Sequence, residues 1–299
     1  MKVVKTPGEV RKVIAGFKKN CKNIALVPTM GDLHRGHISL IEMALEKCDR
    51  VVVSIFVNPK QFGPKEDYSR YPRNEQSDKA ILEELGCDLL FVPSVRDLYS
   101  ASDRTRVSVE KITGRLCGLF RPGHFDGVTL VVSKLFNIVD PDMAFFGQKD
   151  AQQAVVIQRM SADLNFPVRI VLGPIIREDN GLALSSRNRY LDDNEMIRAA
   201  SLYKSLSEAF SSIKMGERNP DRIASRMRSI IENAGLQVEY AEIVDGKTME
   251  AVSRIENVIL VAVAARLGDV RLIDNIAVKI EDDSVEEVLL EFPNWSSYE

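Results

Sequence analysis

Pro28-Thr29-Met30-Gly31-Asp32-Leu33-His34-Arg35-Gly36-His37 is the stretch that decides how this chain is read. The apolar run Ile24-Ala25-Leu26-Val27 precedes it, and residues 38–48 carry apolar side chains at helical spacing. Together they read as a strand, a glycine-bearing turn and a helix with His37 in its first turn. Such a junction presents free backbone N–H groups at the positive end of a helix dipole, a setting that suits phosphate. His34 and His37 add ring donors, and they are two of only three histidines in the chain. The bland alternative is a pair of polar loop residues, with His37 merely opening the helix.

The alternation continues outward. Thr6-Pro7-Gly8-Glu9 matches a capping box with proline at the first helical position, and Val10, Val13, Ile14 and Phe17 follow at helical spacing. Residues 51–57 are too densely apolar for one exposed face and read as a buried parallel strand. Further helices are expected over 75–85, 128–139 and 151–164, and further strands over 89–92, 107–109, 143–146 and 167–172. This pattern implies a parallel sheet with right-handed crossovers and a ligand at the carboxyl ends of its strands. The glycine-rich and polar segments 28–37, 58–73, 147–153 and 174–188 fall at those ends.

Near residue 183 the pattern changes. A long helix from an Asp192 or Asp193 cap through Phe210 is expected, then a helix over 221–233. Antiparallel strands follow over 237–244, 258–265 and 271–275, around a Leu267-Gly268-Asp269 turn. The fold class expected is α/β: a Rossmann-like parallel-sheet domain over residues 1–182 with a smaller C-terminal α+β domain over 183–299. The tail from Glu281 mixes acidic residues with Leu289, Leu290, Phe292 and Trp295; it either packs back on the body or stays partly disordered.

Composition excludes several classes. Of the 299 residues, 45% are hydrophobic and 28% charged, with a net charge of −3; broad nucleic-acid binding needs clustered cations instead. No run of about 18 apolar residues occurs, and Met1 to Pro7 lacks a signal-peptide core, so no membrane span and a cytoplasmic location are expected. Cys21, Cys48, Cys87 and Cys117 form no C-x-x-C pair and are expected as small buried side chains in a reducing compartment. Neither G-x-x-x-x-G-K-[ST] nor G-x-G-x-x-G is present, which disfavours P-loop kinases and nicotinamide dehydrogenases. No metal cage is legible; magnesium, if used, arrives on a nucleotide and keeps several waters.

Three further segments carry chemistry. Gly147-Gln148-Lys149-Asp150 again places glycine at a strand end before a helix. Lys149 would set a compact cation beside phosphate, and Asp150 would accept ribose hydroxyls, although Asp150 to Gln153 equally fits a capping box. Leu184-Ser185-Ser186-Arg187 offers adjacent hydroxyls and a bidentate cation for phosphate oxygens, or is simply a solvated loop. Asn58-Pro59-Lys60-Gln61-Phe62-Gly63-Pro64 leaves a buried strand with two amides able to hold a small polar substrate, or is turn chemistry alone.

Several long motifs together resemble the pantoate–β-alanine ligase (pantothenate synthetase) family: VPTMGDLHRGH (27–37), VSIFVNPKQFGPKEDYSRYPR (53–73), RPGHFDGV (121–128), AFFGQKDAQQ (144–153) and GLALSSRNRYL (181–191). Weaker similarity continues through YAEIVD (240–245) and RLIDN (271–275). The resemblance implies a Rossmann-like nucleotidyltransferase of the His-x-Gly-His type. It also implies a two-step reaction, in which ATP and pantoate give an enzyme-held pantoyl adenylate and pyrophosphate, then β-alanine gives pantothenate and AMP. A homodimer through the N-terminal domain and a C-terminal partial lid are further implications.

Carried over by residue, Met30, Gly31, Asp32, Leu33, His34, Arg35, Gly36 and His37 would line the ATP site, with His37 as proton donor. Gly147, Gln148, Lys149, Asp150, Ile176, Leu184, Ser185, Ser186 and Arg187 would complete it. Gln61 and Gln153 would hold pantoate, with Gln61 also near β-alanine, and Asn58, Tyr71, Arg121 and His124 match the family pattern too. His34, His37, Lys149, Ser185, Ser186 and Arg187 would neutralise the charge that develops when a carboxylate attacks the α-phosphate. Asp32 is out of pattern; it either weakens ATP binding or points outward. The rivals are a nucleotidyltransferase that stops at its activated product, a tRNA-charging fragment and a non-catalytic nucleotide binder.

Overall fold

A computed structural model describes residues 1–64, 66–281 and 284–292; Trp295 lies outside them. Its first sheet has six parallel strands: β1 (Lys2–Val4), β2 (Ile24–Thr29), β3 (Arg50–Ile55), β4 (Leu89–Phe91), β5 (Met143–Gly147) and β6 (Arg169–Gly173), in the order β1-β4-β3-β2-β5-β6. The chain switches direction across the sheet at β2, so the crevice between β2 and β5 is where such sheets take ligands. β2 pairs with β3 along its whole length, but with β5 only at Ala25 and Leu26. Beyond Leu26 the two strands part, and that parting opens the crevice.

Alternation along these strands feeds two cores. Ile24, Leu26 and Val52 face α1 (Pro7–Lys19), α6 (His124–Val139) and α7 (Ala151–Asp163). Ala25, Val27, Val51 and Val53 face α2 (Arg35–Lys47) and α3 (Glu75–Glu84). Both faces are buried, which is why these strands are apolar throughout. Short helices α4 (Val95–Leu98) and α5 (Cys117–Phe120) lie between β4 and α6.

After β6 come α8 (Asp193–Ala199), α9 (Ser201–Lys214) and α10 (Pro220–Asn233), then an antiparallel sheet of β7 (Gln237–Asp245), β8 (Asn257–Leu267), β9 (Val270–Glu281) and β10 (Ser284–Val288). β8 divides its side chains as well. Leu260, Ala262 and Ala264 join the core built on α6, whereas Ile259, Val261, Val263 and Ala265 join a third core with α9 and α10. Arg177, on the connection after β6, is bound in a bidentate manner by Asp274 of β9 at 2.6 and 3.1 Å, and the Asp274 side chain is fully buried.

Three expectations are corrected, and one open alternative falls to one side. Residues 107–109 form no strand: Val107 offers its carbonyl to Thr129 Oγ1 of α6 at 2.7 Å, and Val109 packs into the core as irregular chain. The long helix through Phe210 is two helices, broken at Ala200, where Arg198 near the end of α8 is tied to the Ala234 and Gly235 carbonyls. Cys21 is exposed, in a left-handed turn residue (φ 50°). Of the tail, the described stretch through Phe292 packs back: Leu290 is 5% exposed. No helix among the described residues is long and apolar enough to cross a membrane.

Candidate active site

A cleft of about 220 Å³ opens at the carboxyl ends of the parallel strands. The loop after β2 brings Met30, His34, Gly36 and His37 to it, and the loop after β3 brings Asn58, Gln61 and Tyr71. The loop after β5 adds Gly147, Lys149, Asp150 and Gln153; the connection after β6 adds Ile176, Leu184, Ser185, Ser186 and Arg187. Arg121 and His124 enter from the start of α6. Val128, Val131, Val132 and Leu135 of α6 form an apolar wall, which the sequence showed only as a buried helix face. Gly31, Asp32, Leu33, Arg35 and Gln148 are not among its lining residues.

Asp78 of α3 shapes the histidine loop, accepting the N–H groups of Asp32 (2.9 Å) and Leu33 (2.8 Å). Burial pushes its carboxyl above the ordinary value, and those two donors pull it back. Gly31 is required here: its φ is +84°, and a Cβ would stand 2.9 Å from Ile55 Cγ2 and 3.0 Å from Asp78 Oδ2. The sequence signal for Asp78 was a carboxylate on the buried stripe of α3, one turn before Leu82. Asp32 does not point outward. It is 2% exposed and ion-paired at 2.9 Å with Arg189, 157 residues away and 60% exposed, while neither carboxylate oxygen accepts a hydrogen bond. Arg35 points away from the cleft, toward Glu178 (3.5 Å).

The histidines are fixed by backbone donors. His34 caps α2, its Nδ1 accepting from Gly36 N (3.1 Å), and His37 Nδ1 accepts from His34 N (3.4 Å). In the neutral ring, Nε2–H is then the remaining donor of each. The rings are 4.1 Å apart. Burial first, then the Lys149 and Arg189 charges, bring His34 down from 6.5 to about 4; burial, His34 and Lys149 bring His37 to about 3. Between pH 6.5 and these values the unfolded chain binds more protons, so stability falls as pH drops through that window. Phosphates placed beside the rings would raise both values. Nucleotide binding near pH 5.5 is therefore expected to take up protons on the order of a few tenths per site or more, read by calorimetry in buffers of different ionisation enthalpy. No uptake would mean that the phosphates lie elsewhere.

Gln61 is mounted from behind. Asn58 donates to Gln61 Oε1 (3.1 Å) and to the Gly127 carbonyl (3.0 Å), and accepts from Lys60 N (3.2 Å) and Tyr99 Oη (2.9 Å). With both amide hydrogens and its oxygen engaged, the 1%-exposed Asn58 braces the Gln61 side chain. Its partners are 41 and 69 residues away, out of reach of local reading. Arg121 likewise holds Glu66 in a bidentate manner (2.7 Å each) and donates to the Gln61 carbonyl (3.2 Å). His124 Nδ1–H donates to that carbonyl (2.8 Å), so its Nε2 accepts from Arg121 Nη1 (3.1 Å).

The charges of the cleft now sort themselves. Arg121 is neutralised by Glu66, and Arg187 by Asp67 in a bidentate pair (2.8 Å each) over the Tyr71 ring. The histidines are neutral near pH 7. Lys149 is the one cation lining the cleft without an ion pair among the described residues. Ser185 Oγ caps the turn at Arg187 N (3.3 Å), and Ser186 Oγ donates to the Asp32 carbonyl (3.4 Å), which ties the Ser-Ser-Arg segment to the histidine loop. Gln148 is 3% exposed and turned toward the C-terminal sheet.

Known proteins match the chain over most of its length. The sequence model of one family, Pantoate-beta-alanine ligase, matches residues 2–277. The chain belongs to that family. Pantothenate synthetases of a Thermoanaerobacter species (51% identical over 269 residues; 90% of this chain, 95% of that one) and of Caldicellulosiruptor saccharolyticus (48% over 281 residues; 94% and 100%) are among its relatives. The pantothenate synthetase structure of Thermus thermophilus superposes with a TM-score of 0.87 at 42% identity, covering 92% of this chain and 98% of that one. The pantoate-beta-alanine ligase of Francisella tularensis, solved in complex with Beta-gamma ATP and Beta-alanine, gives 0.77 at 35% identity, covering 92% and 97%. The reaction of a pantoate-beta-alanine ligase is ATP-dependent joining of its two named substrates. The family match stops at residue 277, leaving β10 outside it.

Proposed function

We propose that this cleft joins pantoate to β-alanine through an enzyme-held pantoyl adenylate. The observation that carries the reading is the meeting of two glutamines, Gln61 and Gln153, with the paired imidazoles and Lys149 in one cleft. Two anions must approach when the pantoate carboxylate attacks the α-phosphate. Lys149 supplies charge, and the two Nε2–H groups supply neutral donors to the oxygens where charge builds. Gln61 and Gln153 hold pantoate without quenching its carboxylate. Pyrophosphate leaves; the free amine of β-alanine then attacks the acyl carbon, loses its proton, and expels AMP. His37 acts as a neutral hydrogen-bond donor in this scheme. Asp150 takes the ribose hydroxyls, Ile176 packs beside adenine, and Ser185, Ser186 and Arg187 close on the phosphates, Ser186 exchanging its bond to the Asp32 carbonyl and Arg187 keeping its Asp67 pair.

Magnesium would arrive on the ATP phosphates, whose oxygens suit it and leave it several waters. Residues 1–182 would bind the substrates and 183–299 cover them, excluding water from an adenylate that hydrolyses. A homodimer through the N-terminal part rests on the family resemblance, and sedimentation would test it; a cytoplasmic location rests on the lack of a signal-peptide core.

The test is pyrophosphate release from ATP. With pantoate alone, one burst per site is expected; adding β-alanine should give steady turnover with AMP and pantothenate. Steady release without any amine would favour a nucleotidyltransferase that stops at its activated product.

A further inference from the structure

The C-terminal extension has no part in the reading so far, yet it touches the nucleotide loop. β10 extends the second sheet, pairing antiparallel with β9 from Ser284 opposite Glu281 to Val288 opposite Ala277. Just past it, Leu290 N donates to Gln148 Oε1 at 2.7 Å, and Gln148 Nε2 donates to the Val288 carbonyl at 3.4 Å. The carboxamide of Gln148 thus bridges residues 288 and 290 as a neighbouring strand would. Leu290 is 5% exposed and joins the core with Val244, Met249 and Leu260. It stands so close over Gly246 that a Cβ there would be 3.1 Å from Leu290 Cδ2. From β9, Asn275 Nδ2 donates to the carbonyls of Gln148 and Lys149, both at 3.0 Å.

Gln148 is buried and directly precedes Lys149 and Asp150. Without the extension, its carboxamide loses both partners, and a buried amide left unpaired drives the chain around it to move. Asn275 would then hold the loop alone, by backbone carbonyls.

We propose that residues 284–292 form an intramolecular clamp that positions the 147–150 loop and so sets the affinity for ATP. Gln148 and Leu290 are positioning residues in this scheme; neither touches substrate. The inference rests on the reading that Lys149 and Asp150 bind ATP.

The test uses full-length variants. Leu290→Pro removes the N–H that Gln148 accepts; Leu290→Ala keeps it and trims only packing. Leu290→Pro is expected to raise the KM for ATP about five- to tenfold with kcat within about twofold, the scale of one lost buried hydrogen bond. Amide hydrogen exchange over 147–151 should accelerate in the same variant. Leu290→Ala should raise KM less. Gln148→Met should match Leu290→Pro, and combining the two should add little, since they break one interaction. Should Leu290→Pro fail to fold, Gln148→Met alone decides by the same KM rise. A lower melting temperature with unchanged KM would overturn the inference, leaving the extension as mere stabilisation; so would faster exchange with unchanged KM. Lys149→Ala separates the two readings. If it leaves ATP binding and rate intact, the loop itself was misassigned; if it impairs them while the clamp variants do not, only the clamp fails.

Discussion

Replacing Lys149 with alanine is expected to slow adenylate formation by about 10²–10³-fold, the range for removing a preorganised charge-stabilising donor. The cleft gives this residue unusual weight. Six groups looked able to supply positive charge or donors, but Arg187 is committed to Asp67, Ser186 to the Asp32 carbonyl, and both histidines are neutral near pH 7. Lys149 alone is left as an unpaired cation lining the cleft among the described residues. Single-turnover pyrophosphate release with pantoate is the measurement. Lys149→Arg should recover part of the rate, because the charge stays while the compact ammonium becomes a planar fork. A near-normal rate for Lys149→Ala would remove charge neutralisation at that residue from the account. His37→Ala should fall in the same range, through loss of a neutral donor.

The second large effect is expected at a residue behind the substrate loop. Gly127, in the first turns of α6, lies so close to the substrate loop that an added Cβ would be 2.2 Å from the Lys60 carbonyl oxygen and 2.6 Å from Gln61 N. Both neighbours are backbone and cannot rotate aside. Gly127→Ala should therefore push the 59–61 turn outward by roughly an ångström, a displacement that can cost about 10²-fold in rate. Overpacking should also lower stability by about 1–3 kcal/mol. Pantoate-dependent pyrophosphate release and a thermal melt read the two effects separately. A folded variant with normal pantoate dependence would show that the position of Gln61 is not critical.

These two residues also mark what the sequence could and could not say. Lys149 sits in a motif with a local meaning, glycine at a strand end before a helix, and periodicity alone places that strand and helix. The histidine turn is legible for the same reason, as are α1 with its capping box and the turn between β8 and β9. Gly127 is different. It lies inside an apolar helix, and only the approach of residues 60 and 61 gives it a role. Asn58, Asp32 and Arg121 acquired their true partners from positions tens to hundreds of residues away, which residue type and spacing do not encode. The three-residue edge strand β1 is too short for a period, and the β-branched run at 107–109 was captured by Thr129. Ala200 carries no breaker signal; the helix divides there, where α8 is tethered to the end of α10.

The central claim is that the carboxylate of pantoate attacks the α-phosphate of ATP in this cleft. Turnover with pantoate carrying heavy oxygen in its carboxylate tests it most directly, with mass spectrometry of the products. The account predicts one labelled oxygen in AMP and none in pyrophosphate. Unlabelled AMP with label in a phosphate product would contradict it, because the carboxylate would then have attacked a different phosphorus.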